Sequence, residues 1–177
     1  MARRVIRDIP LNRVEGDMEI RVEFEGNRIV DAWSAGTMYR GFENMMVGRG
    51  PLDGLVITPR ICGICSTTHL MAAAQALDRI AAVTIPDNAI RLRNLTLMVE
   101  HCQGDVRQSV LMFLPDFASD IYRSHPLHAE AVRRYAPLQG QRCIDVVRQT
   151  KSVIEIIAIL GGQWPHSSFM VPGGVTY

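Results

Sequence analysis

Residues 17–24, "DMEIRVEF", alternate between apolar and polar positions without a break. Met18, Ile20, Val22 and Phe24 fall on one face, and Asp17, Glu19, Arg21 and Glu23 on the other. A period of two is the pattern of a strand with one face covered. The "EGN" that follows is a turn, and residues 28–34 are predicted to return as the second strand of a hairpin. Residues 35–59 lose this pattern and carry Gly36, Gly41, Gly48, Gly50 and Gly54 before Pro59. They read as a long packed loop with one helical turn near 42–47, and loops of this length in a compact domain are usually functional.

Beyond Pro59 the period becomes helical. Residues 66–83 are rich in Ala, Leu and Met. Pro86 and Asp87 open a second helix, whose stripe of Leu95, Met98, Cys102, Val106, Val110 and Phe113 is predicted to face the core before Pro115 ends it. A short helix is expected over 129–135. A long one is expected over 140–160, with Cys143, Val147, Thr150, Ile154, Ile157 and Leu160 on one side and Gly161 and Gly162 as its cap. The remainder, "GGQWPHSSFMVPGGVTY", reads as a loop that leaves Phe169, Met170, Val171 and Val175 exposed for a partner. The expected class is mainly α with a small N-terminal β-hairpin or sheet. One domain is expected over 1–177, with a hairpin and loop region over 1–60 and a helical region over 61–177.

At 177 residues the chain can bury a real core, and 47% apolar with 21% charged residues is ordinary for a protein that does so. A net charge of +1 argues against nucleic acid or a charged membrane surface as partner. The two arginines at the start precede no apolar run, so no secretory or twin-arginine signal is expected. No run approaches 18 apolar residues, and the expected location is the cytoplasm or a membrane reached through partners.

Chemistry concentrates at "RICGICSTTH", residues 60–69. Cys62 and Cys65 are three apart, a spacing that points both sulfurs at one place when the first lies in a turn and the second opens a helix. Gly63 is expected to let the backbone turn, and Ser66 or Thr67 to cap the helix. The helix N-terminus and Arg60 are expected to lower the thiol pKa values. His69 lies one turn past Cys65, able to ligate a metal or to hydrogen-bond a cysteine sulfur. Soft thiolates suit zinc, iron–sulfur, copper(I) or nickel. A redox dithiol and a pair of buried structural cysteines remain open on spacing alone. Cys102 and Cys143 read as packing residues.

The neighbouring segments narrow these alternatives. "RVEG" at 13–16, "YRGFE" at 39–43 and "RICGICSTTH" occur in an order and spacing that resembles the large subunit of nickel–iron hydrogenases, and every position of R-x-C-G-x-C-x-x-x-H is filled. The segment 161–176 is similar to a later family pattern, although Gln163 and Trp164 depart from it. The resemblance runs from about Leu11 to Tyr177. It implies that Cys62 is a terminal ligand of nickel and that Cys65 bridges nickel and an iron carrying carbon monoxide and cyanide. It implies that His69 hydrogen-bonds near the bridging sulfur, that Glu15 relays protons, and that Glu43 helps hold Mg2+. The implied activity is reversible oxidation of H2, with iron–sulfur clusters in a separate small subunit.

The family's second C-x-x-C is not in this sequence. Two of four thiolates are therefore expected from a second polypeptide, by a natural split of the large subunit in preference to a fragment. Two other readings share the motifs: a hydrogen-sensing relative, and a metal-free quinone-reductase subunit of the complex I type. Intact Cys62 and Cys65 speak against the latter.

Overall fold

The computed structural model describes residues 4–14 and 16–176. Glu15, on which the proton-relay expectation falls, lies outside them. The chain divides into two compact units, Met1–Gly41 and Phe42–Tyr177.

The first unit is a three-stranded antiparallel sheet of β1 (Arg4–Leu11), β2 (Met18–Glu25) and β3 (Arg28–Gly36), in the order β1-β2-β3. The hairpin expected from alternation is β2–β3. A register shift at Glu23/Phe24 takes the pairing from Glu23↔Asp31 to Phe24↔Ile29. β1 is a strand that periodicity misses, because Pro10 and the adjacent Val5 and Ile6 break its alternation. It lies at an edge of the sheet, where a residue without an N–H is tolerated. Its pairing runs from Arg4↔Glu25 to Leu11↔Met18, with Arg21 Nε donating to Asp8 at 2.7 Å and the Arg7 guanidinium lying 5.5 Å from the Phe24 ring centre. On the alternating face of β2, Val22 is buried while Ile20 and Phe24 are half-buried.

The second unit is helical. It comprises α1 (Phe42–Met46), α2 (Gly54–Ile57), α3 (Ser66–Ala81), α4 (Asp87–Arg107), α5 (His128–Tyr135), α6 (Gln141–Gly161) and a terminal hairpin of β4 (Met170–Val171) and β5 (Gly174–Val175). The expected loop over 35–59 therefore holds more structure than one turn, including 3-10 turns at Pro51–Asp53 and Thr58–Arg60. α3 stops where Ala82 turns left-handed at φ 51°, and α6 stops at Gly162, φ 81°, a conformation that costs glycine nothing. Pro115 does not end α4 directly. The helix loosens into a π-turn over Gln108–Phe113 and a 3-10 turn over Leu114–Ala118.

Leu55 of α2 and Leu70, Met71, Ala74 and Leu77 of α3 form one core, closed by Phe169 and Met170. Val99 of α4 packs with Ile154 and Ile157 of α6 in a second. Two expectations are corrected here. The segment 161–176 is not an exposed apolar tail: Phe169 and Met170 are 4% and 0% exposed. The stripe on α4 faces outward, with Leu95, Met98, Cys102, Val106 and Phe113 all exposed. The buried side of α4 is Ala89, Arg93, Thr96, Val99, Glu100 and Gln103. Hydrogen bonding, more than apolar area, places that face. The α6 stripe holds at Cys143, Thr150, Ile154 and Ile157, with Val146 buried where Val147 was expected.

The Arg93–Asp78 pair, 2.6 Å apart and almost fully buried, joins α4 to α3. Arg93 also donates to the carbonyls of Val171 at 2.6 Å and Gly174 at 2.8 Å, and the Gly173 amide donates to Asp78 at 2.7 Å. These bonds pin the terminal hairpin between the two helices. Among the described residues no helix is long and apolar enough to cross a membrane.

Candidate metal centre

Cys62 and Cys65 sit at the junction between the Thr58–Arg60 turn and α3. Pro59 is buried, and the Thr58 hydroxyl lies 2.8 Å from the Gly54 carbonyl and 3.2 Å from that of His69, which locks the turn onto α3. Both cysteines are free and half-buried. The Cys65 amide donates to the Cys62 sulfur at 3.3 Å. That N–H ties the two cysteines of the turn together and fixes where the Cys62 sulfur lies.

The loop after α6 covers this turn. The His166 amide donates to Ser66 Oγ at 3.1 Å, and its Nδ1 donates to the Pro59 carbonyl at 2.7 Å, which fixes the tautomer because a carbonyl only accepts. A Cβ placed on Gly63 would meet Pro165 and His166 at 3.7 Å. Gly63 is not in the left-handed region, so its part is to lie under these side chains and not to supply a positive φ. His166 is thus part of the packing over the cysteine turn.

The capping expectation is corrected as well. Cys65 is itself the N-cap of α3, and its side chain makes no capping bond. Glu100, on the buried face of α4, accepts from the Thr67 amide at 2.7 Å and from the Thr68 amide and hydroxyl at 2.7 Å each. No spacing rule connects residues 33 apart on separate helices. No sequence signal marks it, because Glu100 shares its face with Arg93, Thr96 and Gln103 and so reads as part of the polar side of α4.

The predicted lowering of both thiols is overturned for Cys65, which is pushed up to about 12 by burial, then by the bonded Cys62, then by the negative charge of Glu100. Crowding of anion-forming groups outweighs the helix N-terminus. A cation held by both sulfurs relieves that crowding. Cys65, Thr68, Glu100, His101 and Asp105 line an open cleft of about 330 Å³.

Of the other expected residues, His69 is half-buried on α3, its amide bonded to the Cys65 carbonyl at 3.3 Å. Arg60 is exposed and is not among the groups that act on Cys65. Glu43 is exposed in the first turn of α1. Cys143 is buried, whereas Cys102 is exposed and not a packing residue. Among the described residues there is no group of three or more His, Cys, Asp or Glu able to hold a metal. The donor set fits half of a four-thiolate site: two soft, free sulfurs side by side, open on one flank.

A family model described as nickel-dependent hydrogenase matches residues 40–111, which include the cysteine turn and Glu100. The chain is 32% identical over 184 residues to the periplasmic [NiFeSe] hydrogenase large subunit of Desulfomicrobium baculatum, an alignment covering 94% of this chain and 35% of that protein. It is 28% identical over 180 residues to the hydrogenase-1 large chain of Escherichia coli (strain K12), covering 96% of this chain and 30% of that one. The solved Ni-Fe-Se hydrogenase of D. vulgaris Hildenborough in its reduced state superposes with a TM-score of 0.73 at 30% identity, over 99% of this chain and 38% of that one. This chain thus spans about a third of the length of these relatives. By sequence and by fold, it belongs with the large subunits of nickel-dependent hydrogenases and corresponds to their N-terminal part.

Proposed function

We propose that this chain is part of a nickel–iron hydrogenase that oxidises H2 reversibly, and that it supplies two of the four cysteine ligands of the metal centre. The observation that carries this reading is the side-by-side pair of free thiols at the start of α3, joined by the Cys65 amide to the Cys62 sulfur. Cys62 and Cys65 would hold the centre through their sulfurs, Cys62 as a ligand of nickel and Cys65 as a ligand of both nickel and an iron that carries carbon monoxide and cyanide. When bound, such a centre supplies the redox and Lewis-acid chemistry that separates H2 into protons and electrons.

The chain's own residues hold and move protons around it. Cys62, whose sulfur already accepts one N–H, is the group that takes a proton, and Glu15 relays it outward. His69, one turn along α3, steadies the bridging sulfur, and Glu43 contributes to a Mg2+ site. The centre's other two thiolates lie outside residues 1–177, and electrons leave through iron–sulfur clusters in a small subunit, since Cys102 and Cys143 stand apart as single cysteines on separate helices.

The test is to purify the native assembly and measure nickel, iron and H2 oxidation, then repeat with Cys62→Ser and Cys65→Ser. Both variants are expected to lose nickel and activity together. An assembly that oxidises H2 at the wild-type rate with either serine present would end this reading.

A further inference from the structure

The first turn of a helix has amides that no carbonyl within the helix can satisfy, and the N-cap side chain ordinarily accepts from them. In α3 that position is Cys65, a proposed metal ligand, and its sulfur makes no capping bond. The acceptor comes from another helix. Glu100, 4% exposed on α4, takes the Thr67 amide on Oε2 and the Thr68 amide and hydroxyl on Oε1, all at 2.7 Å. Both carboxylate oxygens are used, and all three donors lie within three residues of Cys65.

We propose that Glu100 is a positioning residue for Cys65: by capping α3 from across the helix pair, it keeps the first-turn amides off the Cys65 sulfur and fixes the direction in which that sulfur meets a metal. The inference rests on the ligand role proposed above. Without Glu100 the first-turn amides lose their acceptor while Cys65 holds the N-cap position, and an N–H bonded to a ligating thiolate withdraws electron density from the metal it holds. The chemistry requires a carboxylate, because a glutamine amide offers one accepting oxygen, while its NH2 would face a donor.

Glu100→Gln is the informative variant, studied in the native metal-loaded assembly beside Asp78→Asn. Asp78 is a control because it anchors the same helix through Arg93, away from the cysteines in sequence. Three quantities are read: nickel and iron content, the infrared bands of the diatomic ligands on iron, and H2-oxidation turnover. Glu100→Gln is expected to keep both metals, shift the infrared bands and lower turnover by about tenfold, the scale of lost support behind a metal ligand. Asp78→Asn is expected to lower the melting temperature without moving the bands. Unshifted bands in metal-loaded Glu100→Gln, or an equal shift in Asp78→Asn, would overturn the proposal. If Glu100→Gln does not assemble, Thr68→Val removes only the hydroxyl bond, and its bands must shift in part; no shift overturns the proposal. Wild-type assembly without nickel would instead overturn the hydrogenase reading and this one with it.

Discussion

Glu15→Gln separates two things a carboxylate does, since glutamine keeps nearly the same shape and hydrogen-bonding reach but cannot ionise. If Glu15 relays protons, the variant keeps nickel and iron at wild-type levels while H2 oxidation slows by about 10²-fold or more, the contribution expected of a positioned proton carrier. Metal analysis beside turnover checks it, and near-normal turnover with intact metal rejects the role. Gly140, the N-cap of α6, is a different kind of residue. A Cβ there would lie 2.6 Å from the carbonyl carbon of Arg134 and 2.7 Å from the nitrogen of Ala136, both of them backbone atoms that cannot rotate aside. Gly140→Ala is therefore expected to destabilise the helical unit by about 2 kcal/mol, the scale of an overpacked site, seen as a lower melting temperature.

At the level of elements, the link between α3, α4 and the β4–β5 hairpin is electrostatic. Burial by itself raises the Asp78 carboxyl, but the Arg93 guanidinium and the Gly173 amide outweigh it and hold the group below the usual carboxylate range. A depressed folded value means stability that is fully present above the ordinary carboxylate pKa, about 4, and is lost as pH falls through the lowered one. Asp78→Asn should flatten this acid dependence, because the variant has no carboxyl to protonate. Removing one member of a buried pair costs about 3–5 kcal/mol when the other is left unmatched. Arg93→Met should accordingly free the hairpin, and hydrogen exchange at residues 171–175 measures it. Protection there equal to that of the wild type would show that Phe169 and Met170 hold the segment without the ion pair.

At the level of the whole molecule the decisive fact is a count of donors. Two sulfurs at one turn, with no third His, Cys, Asp or Glu grouped with them among the described residues, do not close a coordination sphere. Residues 1–177 prepared by themselves are expected to retain neither nickel nor iron, and metal analysis of that segment alone and in the native assembly checks this. The outward stripe of Leu95, Met98, Cys102 and Val106 on α4 is apolar surface of the kind that interfaces cover. The terminal segment no longer serves that purpose, because it is consumed by the chain's own core.

Local rules reached a good part of this protein. The alternation over 17–24 specified β2, Gly162 specified the end of α6, and the spacing of Cys62 and Cys65 specified a turn running into a helix start, where Cys65 caps α3. Each depends on neighbours within a few residues, whose geometry is set by dihedral preferences and side-chain period. What folding added lies at long separation. β1 was invisible because an edge strand tolerates a broken pattern. The α4 stripe misled because a helix face is chosen by what packs on it, and here Glu100 and Arg93 find buried partners 33 and 15 residues away. The Cys65 thiol went up instead of down because burial, Cys62 and Glu100 meet there only once α4 lies against α3. A one-dimensional pattern carries period and punctuation; desolvation and charge proximity are properties of three-dimensional distance, and they set how the two cysteines are held.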